Sequence, residues 1–121
     1  MITEDYVSFE VAKLLEEKGF NEACFAFYNP EGMLIQSGIR LNNIQVGVVK
    51  GSYSAPTLQM AMKWLREVHG LHVDIDPLEG NWRTKIVELE DLCEVDRGIS
   101  LYGTYEEACE AAIKYCLENL I

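Results

Sequence analysis

The residues that most restrict the fold lie between 71 and 89. Leu71-His72-Val73-Asp74-Ile75-Asp76 alternates apolar and polar positions, and Trp82-Arg83-Thr84-Lys85-Ile86-Val87-Glu88-Leu89 can return antiparallel to it across Pro77 to Asn81. Side chains of a strand point to opposite faces in turn, so alternation of this kind marks a sheet that is wet on one face and packed on the other. One register satisfies both faces: Asp76 opposite Arg83, Asp74 opposite Lys85, and Val73 opposite Ile86. Opposite charges then meet on the wet side and apolar residues on the packed side, each pair worth roughly a few tenths of a kcal/mol. A slip of one residue would invert every side chain, which is why the pattern fixes the register. The rest of the chain must supply cover for the packed face.

Three amphipathic helices can supply it. The first runs from about Ser8 to Lys18: Ser8 caps it, Glu10 complements its dipole, and Val11, Leu14 and Leu15 recur at helical spacing. Gly19 ends it in the left-handed conformation, with Phe20 as the hydrophobic clasp. The second starts at Ser54-Ala55-Pro56-Thr57 and ends at His69-Gly70. Leu58, Ala61, Met62, Trp64, Leu65 and Val68 share one face of it, and Gln59, Lys63, Arg66 and Glu67 the other. In the third, Thr104-Tyr105-Glu106-Glu107 forms a capping box, in which threonine and Glu107 satisfy each other's backbone N–H groups. Tyr105, Ala108, Cys109, Ala112, Ile113, Cys116 and Leu120 follow on one face, so Cys109 and Cys116 read as core.

Between the first two helices, Ala23 to Tyr28 and Met33 to Gln36 flank Asn29-Pro30-Glu31-Gly32, a type I turn with a left-handed glycine, which predicts a second hairpin. Its strands are largely apolar on both sides, so the expectation is a central position covered on one face and partly on the other. Ile44-Gln45-Val46-Gly47-Val48-Val49 reads as an extra strand, with Gly47 as a bulge and Asn42-Asn43 turning it back on Ile39-Arg40-Leu41. The expected fold is a single α+β domain over residues 1–121, with three helices packed on an antiparallel sheet of two hairpins and that extra strand. The element order is α-β-β-(β)-α-β-β-α.

Composition sets the function classes. A chain of 121 residues, 49% hydrophobic and 25% charged, is long enough for one core without metal or cross-link. Twenty acids against ten bases give a net charge of −10, which argues against direct nucleic-acid binding and against anionic membrane surfaces. Residues 73–121 hold twelve acids and four bases, so −8 of the −10 lies there. The stretch from Glu88 to Asp96 (Glu88, Glu90, Asp91, Glu94, Asp96) is its densest part. Such a stretch reads either as a solvated surface or as a face for a basic protein, including mimicry of a DNA backbone. No apolar run of membrane-spanning length and no basic leader precedes the first helix, so a cytoplasmic protein is the expectation.

Candidates for chemistry are few. His69, His72, Asp74 and Asp76 are the tightest group of potential metal ligands, and alternation puts the last three on one face, which suggests a small metal-binding protein or enzyme. The plainer reading gives His69 to a helix C-terminus and both aspartates to cross-strand cations, so neither a metal nor another cofactor is expected. The four cysteines, Cys24, Cys93, Cys109 and Cys116, contain no C-x-x-C pair, and carboxylates around Cys93 disfavour a reactive thiolate. Neither phosphate-binding glycine motif is present. The aromatic residues Tyr28, Tyr53, Trp64 and Trp82 are candidate anchors for a protein partner. A second copy of the chain is another candidate cover for the sheet.

The segments Tyr6 to Phe20 and Tyr105-Glu106-Glu107-Ala108, with the run Ala55-Pro56-Thr57-Leu58-Gln59-Met60-Ala61-Met62-Lys63-Trp64-Leu65-Arg66-Glu67-Val68-His69 as the most specific part, resemble a group of small uncharacterised proteins. These occur in Bacteroides-type gut bacteria and their phages and prophages. The resemblance implies an accessory protein of a mobile element and supplies no catalytic residue, substrate or cofactor. The leading expectation is a non-enzymatic protein-interaction module.

Overall fold

The computed structural model describes residues 2–95, 97 and 100–121. It is a mixed α+β structure with antiparallel sheets, and its chain divides into two compact units, Met1–Thr57 and Leu58–Ile121.

In the first unit, helix α1 spans Phe9–Glu17, and Ser8 Oγ accepts the Val11 N–H at 3.2 Å. Its end closes as the sequence predicts: Gly19 adopts φ +91°, its N–H donates to Glu16 O, and the Phe20 N–H donates to Leu15 O at 2.9 Å. These two bonds satisfy carbonyls that a helix end otherwise leaves open, and they turn Phe20 into the core. Strands β1 (Cys24–Tyr28) and β2 (Leu34–Leu41) form the first hairpin. Asn29 Oδ1 accepts the N–H groups of Glu31 and Met33, and Gly32 sits at φ +81°.

Residues 43–49 depart from the expected strand. Asn43–Val46 is a short helix, α2, because Asn42 Oδ1 accepts the Gln45 N–H at 3.0 Å while Gln45 Oε1 accepts the Asn42 N–H at 2.9 Å. That reciprocal cap outweighs the β-branched residues that suggested a strand. Gly47 is the helix C-cap at φ −68° rather than a bulge, and a Cβ there would lie 2.8 Å from Asn43 O. The third strand of this sheet is instead β3 (Tyr53–Ser54), paired to β1, so the order is β2-β1-β3. The helix count accordingly rises from the expected three to four among the described residues.

The β1–β2 ladder is broken by a wide bulge. Cys24 faces Leu41, but Ala26 faces Gln36, so Ser37 to Arg40 answer Phe25 alone. Ser37 Oγ accepts the Ile39 N–H within this bulge.

In the second unit, helix α3 (Leu58–His69) leads through Gly70 at φ +65° into β4 (Leu71–Leu78). Strand β5 (Asn81–Glu88) pairs with β4 in the predicted register: Asp76 with Arg83, Asp74 with Lys85, Val73 with Ile86. The turn is tighter than expected, since Leu78 pairs with Asn81 and only Glu79 and Gly80 lie between them, at φ +50° and +81°. Pro77 therefore stands inside β4, tolerated because β4 is an edge strand. Two short strands, β6 (Cys93–Glu94) and β7 (Leu101–Tyr102), pair with the two ends of β5 on its other side.

The two hairpins thus lie in separate sheets, not the single sheet expected. Helix α4 (Tyr105–Asn119) is capped by Thr104, whose Oγ1 accepts the Glu107 N–H at 3.1 Å. Ala108, Cys109, Ala112, Ile113, Cys116 and Leu117 are buried, as are Ala61, Leu65 and Ile86. Val68, which helical spacing puts on the apolar face of α3, is exposed instead.

Candidate functional site

The wet face of β4 and β5 carries the residues considered as metal ligands. His72 Nε2 lies 3.0 Å from Asp74 Oδ1, so the aspartate turns along its own strand to the imidazole rather than across to Lys85. Asp76 Oδ2 accepts from Arg83 Nη2 at 3.3 Å. His69 lies apart from both, with its ring edge-on to Trp64 at a centroid distance of 4.7 Å. Its Nε2 is buried without a hydrogen-bond partner. Among the described residues no three His, Cys, Asp or Glu side chains gather as a metal site would require.

The thiols are equally quiet. Burial pushes Cys24 up to about 11 against the lowering effect of Arg40, and pushes Cys116 up to about 12 against that of Arg97. Cys109 is raised by burial as well. All four cysteines are free, and Cys93 alone is exposed. A protonated thiol is a poor nucleophile, so the three buried ones serve as small apolar residues.

The aromatic candidates face inward. Trp64 is 7% exposed. Trp82 packs edge-to-face on Tyr105, whose hydroxyl accepts from Gln59 Nε2 at 3.0 Å. Tyr28 donates to Val7 O at 2.6 Å, and Phe9 packs against both Tyr28 and Tyr53. Trp64 is thus buried, and Tyr28, Tyr53 and Trp82 are half-buried, each with a ring contact within its own unit. Of the acidic candidates, Glu90, Asp91 and Glu94 are exposed and Glu88 is half-buried; Asp96 lies outside the described residues. Leu92, at φ +54° and 78% exposed, stands among them.

What the structure leaves open is a surface of the first unit. Alternation along β1 buries Cys24 and Ala26 and turns Phe25 outward, where it is 54% exposed. Phe27 shares that face and pairs with the exposed Ile35. The Arg40 guanidinium lies over the Phe25 ring, 5.8 Å from its centroid. Ile39, in the bulge, is 65% exposed, and Ile44, Val48 and Val49 around α2 are exposed too, Val48 to 86%. Residues 25–49 hold eight of the fourteen large hydrophobics found exposed among the described residues, whereas isolated exposed leucines elsewhere need no explanation.

Nearby, a groove of about 450 Å³ opens between the end of α1 and α2. Its amides are already engaged: Asn43 Nδ2 donates to Phe20 O, Asn43 Oδ1 accepts the Ser54 N–H, and Asn21 Oδ1 accepts the Ile44 N–H. Glu16 is the one ionisable residue in its lining, so the groove offers shape and apolar contact beside a single carboxylate.

Sequence reasoning passed over Phe25, Ile39 and Arg40 as candidates, yet a signal was there. In a chain of net −10, residues 32–66 contain no aspartate or glutamate and carry Arg40, Lys50, Lys63 and Arg66. Tallying charge on either side of residue 72 merges this stretch with the acidic start of the chain. No family model, curated protein or solved structure matches the chain.

Proposed function

We propose that the protein is a non-enzymatic protein-interaction module, an accessory protein of a phage or mobile element. One observation carries this reading: the large apolar side chains left in solvent are concentrated in residues 25–49, where Glu31 in the hairpin turn is the sole carboxylate, with an arginine laid over an exposed phenylalanine. Aromatic residues and arginine are the side chains that most often anchor protein interfaces, and depletion of carboxylates is typical of an interface centre. The mobile-element setting rests on the resemblance of the helical segments.

The test is retention of a defined protein from extract of a Bacteroides-type host by the intact chain, set beside Ile39→Glu. Ile39 is largely exposed, so the variant keeps its fold and changes only the surface. Loss of a stoichiometric partner in the variant supports the reading. Retention of the same proteins by both chains, with no self-association of either, refutes it.

A second reading has its own observation. Leu92 stands exposed between Asp91 and Glu94 at the β5–β6 turn, which suits a basic partner, as a protein that imitates a nucleic-acid backbone would require. Charge reversal at Glu90, Asp91 and Glu94 would abolish such an interaction and leave the first untouched.

A further inference from the structure

The interaction surface of residues 25–49 has a chemistry that selects its occupant. We infer that it is covered by a second copy of this chain, in a symmetric dimer; this names the partner of the surface on which the interaction reading rests.

Area is the first argument. Leu34, paired with Tyr28, points to the other face of the hairpin, whereas Phe25, Met33, Ile35, Ile39, Ile44, Val48 and Val49 are each between 37% and 86% exposed. Together they leave on the order of 800 Å² of large apolar residues in solvent, the area that each partner of a standard protein interface buries.

Charge is the second. Two copies at −10 each repel wherever their acidic surfaces meet. Within the first unit, residues 32–57 carry Arg40 and Lys50 and no carboxylate, and Glu31 in the hairpin turn and Glu16 beside Ile44 are acids that border the surface, so a twofold interface centred on Phe25, Ile39 and Arg40 keeps acid–acid repulsion to its rim. A twofold axis sets the same patch against itself, and a patch dominated by apolar side chains is self-complementary without charged partners.

The same two arguments give the dimer an unusual salt response. Its attraction is apolar and its repulsion is ionic, so added salt screens the repulsion and tightens association. An interface between Arg40 and the acidic turn around Leu92 would do the reverse.

Sedimentation equilibrium of the intact chain tests this, from about 1 to about 500 µM protein and from about 0.05 to about 0.5 M NaCl. A monomer–dimer equilibrium that tightens with salt is expected. Ile39→Glu and Val48→Glu should each weaken it at least about tenfold, and Leu92→Glu should leave it unchanged. Far-UV circular dichroism of each variant confirms that the fold persists. A monomer at every concentration and salt overturns the inference, as does association that weakens with salt or is abolished by Leu92→Glu. If the chain is monomeric yet loses a host partner on Ile39→Glu, the second copy is rejected and the interaction module stands.

Discussion

Truncating Arg97 to alanine should weaken the second unit by about 2 kcal/mol, and the contacts say why. Strand β5 is paired at one end by β6 and at the other by β7, and past β6 the Val95 N–H still reaches Ile86 O. Thr84 and Lys85 lie between these points, and Arg97 Nη2 donates to Thr84 Oγ1 there at 2.6 Å, with its guanidinium 4.9 Å from the centre of the Tyr115 ring. A hydrogen bond to a charged donor is worth about 1.5–3 kcal/mol, and stacking on tyrosine adds about 0.5–2. Against this, ordering the arginine side chain costs the wild type up to about 2 kcal/mol of entropy that alanine does not lose. Thr84 is buried, so its hydroxyl would be left without this donor, which restores part of the loss.

Urea unfolding followed by tryptophan emission isolates the effect, because both tryptophans, Trp64 and Trp82, belong to Leu58–Ile121. Arg97→Lys keeps the charge without the planar fork and should fall between the wild type and Arg97→Ala. In a cycle with Thr84→Val, the two truncations should couple by about 1 kcal/mol. A loss below about 0.5 kcal/mol for Arg97→Ala, the range of ordinary surface substitutions, would refute the reasoning. So would additivity with Thr84→Val.

Two further expectations concern backbone strain and alkaline pH. Glu79 holds a left-handed conformation in the two-residue turn before Gly80, which asparagine adopts more readily, so Glu79→Asn should stabilise the unit by about 0.5–1 kcal/mol in the same urea assay; no gain would mean the turn relaxes at no cost. Cys24 and Cys116 are raised to about 11 and about 12, against 9.0 for an ordinary thiol. Their contribution is complete below 9.0, where folded and unfolded chains are both protonated, and is lost as pH rises towards the folded values because only the unfolded chain ionises. The melting temperature should therefore fall from pH 9 upward, less steeply in Cys116→Ala, and equal slopes for the two chains would contradict it.

Local chemistry was legible wherever a short stretch carried its own stop and start. Ser8, Gly19 and Thr104 stand where their capping roles require, and the β4–β5 register follows from charges and apolar residues that had a single consistent pairing. The segment Ile44 to Val49 failed because a short apolar run has no decisive period. The deciding interaction was between two amides, Asn42 and Gln45, whose spacing is that of a capping box. Division into two sheets was out of reach, since β3, β6 and β7 are two residues each and owe their pairing to partners distant in sequence. The open surface was hidden for a related reason. Apolar residues on both sides of β1 and β2 look like a doubly covered strand, and only the folded chain reveals that Phe25 and Ile39 stay more than half exposed.

The bulge in β2 bears on how far assembly can go. A free strand edge is a template, and a chain that docks on it presents another edge in turn, so growth has no natural end. Here the regular ladder of β2 runs only from Leu34 to Gln36 before Ser37 to Arg40 loop away from it, and the Ile39 N–H is already engaged by Ser37. Three residues are too few to seed a fibril, while the side chains around them stay available in the perpendicular direction. The kink therefore divides two kinds of stickiness that an apolar hairpin would otherwise combine: it suppresses the propagating kind and leaves the kind that saturates.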